Sequence, residues 1–115
     1  MPSANAELIH RWNQANTDPD AVHELVTPDY VAHLESGDAR GPDGWLAYMR
    51  QAGDGMRDME SGIDELIESG DLVGERWWIR GTAADGQQVR LRGITMHRVA
   101  GGRLKEDWVA FEQEQ

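Results

Sequence analysis

The chain has 115 residues, of which 21 are acidic and 11 basic, giving a formal net charge of −10 at neutral pH. This length predicts a single domain over residues 1–115, and the negative charge argues against nucleic-acid binding, because phosphates need a basic surface. Cysteine is absent, so disulfides and thiolate catalysis are excluded, and a reducing cytoplasmic location is expected.

The N-terminal sequence and the hydropathy pattern argue against export and membrane insertion. Met1-Pro2-Ser3 leads directly into polar, helix-forming sequence without the basic and apolar regions of a signal peptide. No apolar run approaches the ~20 residues that a membrane-spanning helix requires. We therefore expect no membrane partner.

The first half of the chain predicts three helices. The segment 3–16 predicts the first, because its apolar side chains recur at helical spacing: Leu8, Ile9, Trp12 and Ala15. A second short helix follows Asp18-Pro19 and ends before Pro28. Pro42 begins a third helix, which ends at Gly53.

The second half predicts antiparallel strands. A first short strand is expected over residues 29–34, and the glycine-rich segment 37–44 predicts a loop. From Met59 onward the apolar period changes towards alternation, and three turn signals separate four strands: Ser69-Gly70-Asp71, Ala84-Asp85-Gly86 and Ala100-Gly101-Gly102. Helices segregated from antiparallel strands indicate an α+β domain, with the helices on one face of the sheet.

An ordered series of short motifs covers nearly the whole chain. It consists of a strand ending near a histidine, a Gly-Pro-acid-Gly helix start, a Gly-Asp hairpin before a strand with arginine, and a closing Gly-basic-aliphatic strand with Glu and Trp. The segments are Asp29–His33, Gly41–Gly44, Gly70–Val73 with Arg76, Arg80–Thr82, Arg92-Gly93 and Gly101–Trp108. This series resembles the SnoaL-like polyketide cyclase branch of the nuclear-transport-factor-two-like superfamily. The resemblance implies a cone, in which a curved antiparallel sheet wraps around three N-terminal helices with a pocket at the open end.

Two positions depart from the family pattern. The resemblance implies a catalytic aspartate directly after the tryptophan of the last strand, where this chain has Val109. Cyclases of the family also tend to carry a histidine at the position aligned with Thr95. The usual acid–base pair is therefore missing from its expected places.

His33 and Asp107 are the predicted catalytic residues, since they are the titratable groups nearest to the pocket that the family implies. Strand alternation places Asp107 on one face with Val109, which the alignment turns towards the pocket. The alternative turns Leu104 and Trp108 inward and leaves Asp107 in water. For His33 the alternative is a hydrogen-bonded histidine at a loop edge.

The predicted substrate-binding residues are mostly bulky aromatic side chains, which line cores and apolar pockets alike. They are Trp12, Tyr30, Trp45, Arg76, Trp78, Thr95, His97 and Val109. His97 could instead be a hydrogen-bonded core histidine. The alignment turns Arg76 and Trp78 towards the pocket, whereas the hydrophobic pattern turns Val73, Trp77 and Ile79 there; the sequence leaves this open.

Three functions remain compatible with the sequence. The first is a cyclase- or isomerase-like enzyme that moves a proton next to the carbonyl of a small hydrophobic molecule. No metal or other cofactor is expected for it, because the four histidines lack ligand spacing and no phosphate-binding loop is present. The second is a non-catalytic binding protein for a hydrophobic ligand, and the third is a dimeric scaffold. A homodimer through the outer sheet face is expected, because Ile94 and Met96 lie among arginines there.

Overall fold

The computed structural model describes residues 3–114 and, within this range, contains three helices and six strands. The helices are α1 (Ala4–Ala15), α2 (Pro19–Leu25) and α3 (Gly41–Ala52), and the strands are β1 (Val26–Leu34), β2 (Gly37–Arg40), β3 (Arg57–Ser69), β4 (Leu72–Thr82), β5 (Gln88–Ala100) and β6 (Arg103–Gln113). Met1, Pro2 and Gln115, at the ends of the predicted domain, lie outside the described residues.

The helices begin where the capping and proline signals predict. The Ser3 side chain accepts a hydrogen bond from the Ala6 backbone N–H and so caps α1. A proline stands in the first turn of both α2 and α3, where its missing N–H has no helical partner to lose. α1 packs against β3 and α3 packs against β1, so the helices cover one face of the sheet.

The six strands form one curved, open sheet in the order β2-β1-β6-β5-β4-β3. The predicted α+β class, with three helices and a curved sheet, is confirmed. One detail differs, because β1 runs parallel to β6 while all other neighbouring strands are antiparallel. The last strand of the antiparallel series thus lies beside the first strand of the chain, and this pairing brings the two ends of the fold together.

The prediction of a loop over residues 37–44 is wrong in its first half. Gly37–Arg40 form β2, an edge strand that pairs with β1. Gly37 has a φ of +125°, a conformation that glycine adopts at little cost and that lets the chain turn back after Leu34. The polar composition of β2 suits an edge with one unpaired side.

A β-bulge in β6 changes which residues face the helices. Val99 pairs with Leu104 and Arg98 with Glu106, so Lys105 is an extra residue in β6. Strict alternation would turn Leu104 and Asp107 to opposite faces, but the bulge turns both inward, and both are buried. Neither of the two alternatives drawn from the sequence anticipated this arrangement.

The core lies between the helices and the inner face of the sheet. Its centre is an aromatic cluster in which the ring centroids of Trp12 and Trp45 are 5.2 Å apart and Tyr30 lies 6.0 and 6.3 Å from them. The Trp45 indole N–H donates to the Asn16 carbonyl oxygen at 2.8 Å, so its polar atom is satisfied. Among residues 3–114, no helix is long and apolar enough to cross a bilayer.

Gly93→Ala tests the packing of the inner sheet face. The Trp77 ring lies directly over Gly93, where an added Cβ would overlap it. Because the ring would have to move, we expect the variant to lose about 1–3 kcal/mol of unfolding free energy in urea titrations. Gly74→Ala is the matched control, since its new Cβ would lie 3.8 Å from the Ile67 carbonyl oxygen. Equal stability of Gly93→Ala and wild type would contradict this placement of Trp77.

Candidate functional site

Four polar side chains form a buried hydrogen-bond chain across four neighbouring strands. The Tyr30 hydroxyl on β1 donates to Asp107 Oδ2 on β6 at 2.6 Å. Asp107 Oδ1 lies 2.6 Å from Nδ1 of His97 on β5, and Nε2 of His97 lies 2.7 Å from Glu75 Oε1 on β4. All four side chains are buried. We call this set the polar chain.

Sheet register explains how the polar chain forms. His97 and Asp107 are direct cross-strand partners, and Ala32 pairs with Asp107, which brings Tyr30 of β1 within reach. Glu75 pairs with Thr95, which is the next inward-facing residue to His97 on β5. The bulge at Lys105 is required, because it turns Asp107 to the same face as His97.

The two carboxylates determine the charge of His97. Burial alone lowers the pKa of His97, but the charge and hydrogen bond of Asp107, followed by those of Glu75, outweigh burial and raise this pKa to about 9. His97 is therefore an imidazolium at neutral pH and donates from both ring nitrogens. Burial, and next the negative charge of Asp107, raise the pKa of Tyr30 well above its ordinary value. Within residues 3–114, no buried side-chain nitrogen or oxygen lacks a hydrogen-bond partner.

The inner sheet surface next to the polar chain is largely apolar. The Trp77 indole N–H donates to Thr95 Oγ1 at 2.9 Å, and the Trp77 and Phe111 ring centroids are 6.1 Å apart. Val109 pairs with Thr95 on the same surface. We call Trp77, Thr95, Val109 and Phe111 the inner patch.

Arg76 and Trp78, predicted to bind substrate, face away from this surface. Trp78 covers Gly62 on the outer side and has the Arg80 guanidinium 5.2 Å from its ring centroid. Arg76 forms ion pairs with Asp64 and Glu65. The side chains that face inward on β4 are those that the hydrophobic pattern favoured. Of the two alternatives, the hydrophobic pattern is therefore correct and the family alignment is wrong.

His33 and Asp107, the predicted catalytic pair, lie on opposite faces of the sheet. His33 pairs with Trp108, whereas the preceding residue of β1 pairs with Asp107. On the outer side, the His33 ring nitrogens lie 2.6 Å from Glu106 Oε2 and 3.0 Å from Asp38 Oδ1. The hydrogen bonds of Glu106 and then Asp38 raise the pKa of His33. The structure therefore does not bring His33 and Asp107 together.

The eight predicted binding residues are divided among three environments. Trp12, Tyr30 and Trp45 pack in the closed aromatic core, while Thr95, His97 and Val109 lie on the inner sheet face. A groove of about 660 Å³ crosses β4, β5 and β6, and its lining includes Arg76, Trp78 and four further outward residues: Arg80, Arg90, Arg92 and Ile94. The predicted residues therefore do not line this groove as one set.

Comparisons with known proteins identify the family. The SnoaL-like domain model matches residues 6–107. This chain belongs to the SnoaL-like family. No curated protein matches it. Wild-type IdmH from Streptomyces antibioticus, a candidate polyketide cyclase, is 28% identical with a TM-score of 0.81, covering 92% of this chain and 90% of IdmH.

Two more distant structures share the fold. A candidate SnoaL-like polyketide cyclase from Jannaschia sp. CCS1 is 19% identical with a TM-score of 0.84, covering 95% of this chain and 85% of that protein. A hypothetical protein with a ketosteroid isomerase-like fold from Catenulispora acidiphila, solved with trimethylamine, is also 19% identical, with a TM-score of 0.77 and coverages of 90% and 84%. At this identity the likeness concerns the fold alone.

The SnoaL-like resemblance implied a histidine and an acid at two paired positions of β5 and β6. In this chain these two residue types lie one inward-facing cross-strand pair further along the strands. The implied positions correspond here to Thr95 and Val109, which are direct partners. The next inward-facing pair towards the β5–β6 turn is His97 and Asp107. The histidine and the acid are thus both present, but deeper in the sheet.

Glu75 is the residue that sequence reasoning missed. It shares the inward face of β4 with Val73 and Trp77, so an acidic residue in this apolar alternation was the available signal. A buried acid in such a pattern needs a partner, and His97 provides one.

Among residues 3–114, no group of three or more His, Asp or Glu side chains is arranged to hold a metal ion.

The raised pKa of His97 makes stability depend on pH. The folded state holds the His97 proton more tightly than the unfolded state, so the stabilisation is complete below about pH 6.5 and is lost as pH rises through about 9. We expect a loss on the order of 3 kcal/mol in unfolding free energy between these limits, measured by urea titration up to pH 10.

The double variant Glu75→Gln with Asp107→Asn is the control for this pH dependence. It removes both acidic partners of His97 but keeps the shape of the polar chain. The loss between pH 6.5 and 10 should shrink strongly in this variant. An equal loss in wild type and double variant would show that groups other than His97 cause it.

Proposed function

We propose that this SnoaL-like protein catalyses proton transfer next to the carbonyl group of a small hydrophobic molecule, in a cyclase- or isomerase-like reaction without a cofactor. The observation that carries this proposal is His97, held between Glu75 and Asp107 on the inner sheet face. Strongly shifted pKa values at buried, charge-paired groups are enriched at functional sites. A purely structural role is less favourable, because the desolvation of buried charges offsets most of their attraction.

The inner patch suits a hydrophobic carbonyl compound. Trp77 and Phe111 offer aromatic surfaces to a flat ring, and Val109 adds an aliphatic one. The Thr95 hydroxyl oxygen accepts from Trp77, which leaves its own hydrogen available to a carbonyl oxygen. A hydrogen bond at that oxygen stabilises the enolate that forms when the neighbouring carbon loses a proton.

IdmH supports this reaction class, because it is a candidate polyketide cyclase of similar length and fold.

A second function, non-catalytic binding of a hydrophobic ligand, is favoured by one specific observation. Val109 occupies the position where the family resemblance implies an aspartate, so the inner patch could hold a ligand without transforming it. The two functions differ in one measurable property, the exchange of a carbon-bound proton.

Deuterium exchange into 2-tetralone tests the proposal. This ketone has an acidic C–H group between a carbonyl and an aromatic ring, and its aromatic ring can stack on Trp77 or Phe111. In D₂O we expect the wild type to accelerate exchange over buffer, followed by NMR. Asp107→Asn should lower the enzymatic rate at least ~10-fold, since removing a group of an acid–base system costs about 10²–10⁴ at most sites.

Two control variants accompany this test. His33→Ala, on the outer sheet face, should retain the exchange rate. Asp85→Asn, in the exposed β4–β5 turn, should also retain it. Quenching of tryptophan fluorescence by 2-tetralone without any exchange would support the binding function instead. If the wild type neither binds 2-tetralone nor exchanges its proton, both functions are ruled out for this class of compound.

We also propose a homodimer that forms through the outer sheet face. Exposed apolar side chains support it, since Ile94 is 61% and Met96 42% exposed beside Trp108. An apolar area of this kind, rimmed by charges, favours association. We expect a dimer mass in light scattering at micromolar concentration and a monomer for the double variant Ile94→Lys with Met96→Lys. A monomer mass for the wild type would contradict the proposal.

A further inference from the structure

Glu75 is the least buried member of the polar chain. Its exposed fraction is 5%, whereas those of His97 and Asp107 are 1% and that of Tyr30 is 0%. A molecule on the inner side of the sheet would therefore reach the polar chain at Glu75 first.

The two carboxylate oxygens of Glu75 have different surroundings. Oε1 accepts the hydrogen bond from His97 Nε2 at 2.7 Å, while Oε2 has no hydrogen-bond partner among residues 3–114. No buried side-chain oxygen in this range lacks a partner, so Oε2 is not sealed in the protein interior. One oxygen thus fixes the carboxylate and the other remains available.

Two strand partners and one aromatic side chain lie next to Glu75. Glu75 pairs with Thr95 on one side and with Leu66 on the other, and Trp77 is the next inward residue of β4. Directly opposite side chains of antiparallel strands have their Cβ atoms about 4.5–5.5 Å apart. This spacing allows the Thr95 hydroxyl to hold a carbonyl oxygen while Glu75 reaches a hydrogen on the adjacent carbon.

We propose that Glu75 is the catalytic base of this protein and that His97, Asp107 and Tyr30 are positioning residues for its carboxylate. This inference rests on the proton-transfer function proposed above. Glu75 Oε2 takes the proton from the carbon next to the carbonyl, and the C–H electron pair becomes the C=C bond of an enolate. The carbonyl π electrons move to oxygen, which accepts the hydrogen bond from Thr95.

The same proton completes either of two reactions. In an isomerisation, Glu75 returns it to a different carbon of the conjugated enolate. In a cyclisation, the enolate carbon attacks a second carbonyl carbon of the same molecule, and the oxygen released from that double bond takes the proton from Glu75. Atoms and charges balance in both cases, and neither reaction consumes an oxidant or a reductant.

The positioning residues hold Glu75 in one orientation. The His97 imidazolium donates to Oε1, Asp107 fixes the His97 ring through Nδ1, and Tyr30 fixes Asp107. Each link is buried, so the orientation does not depend on solvent. Rigid placement of a base within hydrogen-bond reach of its proton is a main source of catalytic efficiency.

Glu75→Gln tests the assignment, because glutamine keeps the shape of the side chain and cannot accept a proton to become neutral. We expect at least a ~100-fold loss of 2-tetralone exchange, whereas Asp107→Asn, which leaves Glu75 in place, should lose less. Glu75→Asp should recover part of the lost rate. Thermal unfolding of each variant checks that the fold is retained.

A matched ligand pair separates a catalytic role from a structural one. 2-Naphthol carries a hydroxyl like that of an enol, and naphthalene lacks it. Glu75→Gln should weaken 2-naphthol binding about 10-fold, the usual effect of losing a hydrogen bond to a charged group, and leave naphthalene binding unchanged. Equal weakening of both ligands would mean that Glu75 only shapes the site, which would overturn the assignment.

The outcomes distinguish the two proposals. Exchange retained in Glu75→Gln but lost in Asp107→Asn would overturn the role of Glu75 and leave the proton-transfer function intact. No exchange by wild-type protein would overturn that function, and the role of Glu75 with it. If Glu75→Gln does not fold, ¹³C NMR of wild type decides: 2-naphthol should shift the Glu75 carboxyl signal more than that of Asp107, and the reverse would overturn the assignment.

Discussion

The β-bulge at Lys105 is the constraint on which both the core and the candidate site depend. On one side of it Leu104 is fully buried in the core beside Val99, and on the other Asp107 meets His97. Without the extra residue, period-two alternation would bury only one of these two side chains. Burying a leucine contributes about 1.5–3 kcal/mol, so the core and the polar chain would compete for the inner face. The bulge removes this competition.

The polar chain is stable because its members satisfy one another's hydrogen bonds. Burying single charges costs several kcal/mol per ion, and the attraction between His97 and its two carboxylates must offset this cost. The Tyr30 hydroxyl satisfies the second oxygen of Asp107, and Glu75, the least buried member, ends the series. Removing one member leaves its neighbour buried without a hydrogen-bond partner. The changes in unfolding free energy caused by single substitutions should therefore not be additive.

Most of the fold was predictable because local chemistry sets it. Ser3, the two helix-opening prolines and the glycine turns act within a few residues of sequence, and the hairpins form where those turns predict. Gly101 and Gly102 both have positive φ and join β5 to β6 in two residues, which suits a tight hairpin. The edge strand β2 was not predictable, because its polar residues become a strand only by pairing with β1.

The site was less predictable, since it depends on pairing between distant strands. The parallel register of β1 against β6 decides that Tyr30, and not His33, faces Asp107. The bulge that turns Asp107 inward leaves no mark in the apolar pattern of β6. Glu75 was recognisable as an acid at an inward position of β4, and the same pattern favoured Trp77 over Trp78. The family alignment was misleading for Arg76 and Trp78, because it disagreed with the local alternation of β4.

The displacement of the titratable pair changes where a ligand would react. One inward pair along a strand is two residues, or roughly 7 Å, so His97 and Asp107 lie deeper than the positions of Thr95 and Val109. At that depth Asp107 has no surface for a ligand. An acid–base group must touch its substrate, and Glu75 on β4 is the least buried member of the polar chain. In the proposed mechanism the group that contacts the substrate therefore lies on β4 and not on the last strand, where Val109 stands in place of the expected aspartate, and the inner patch is left to bind an apolar ring.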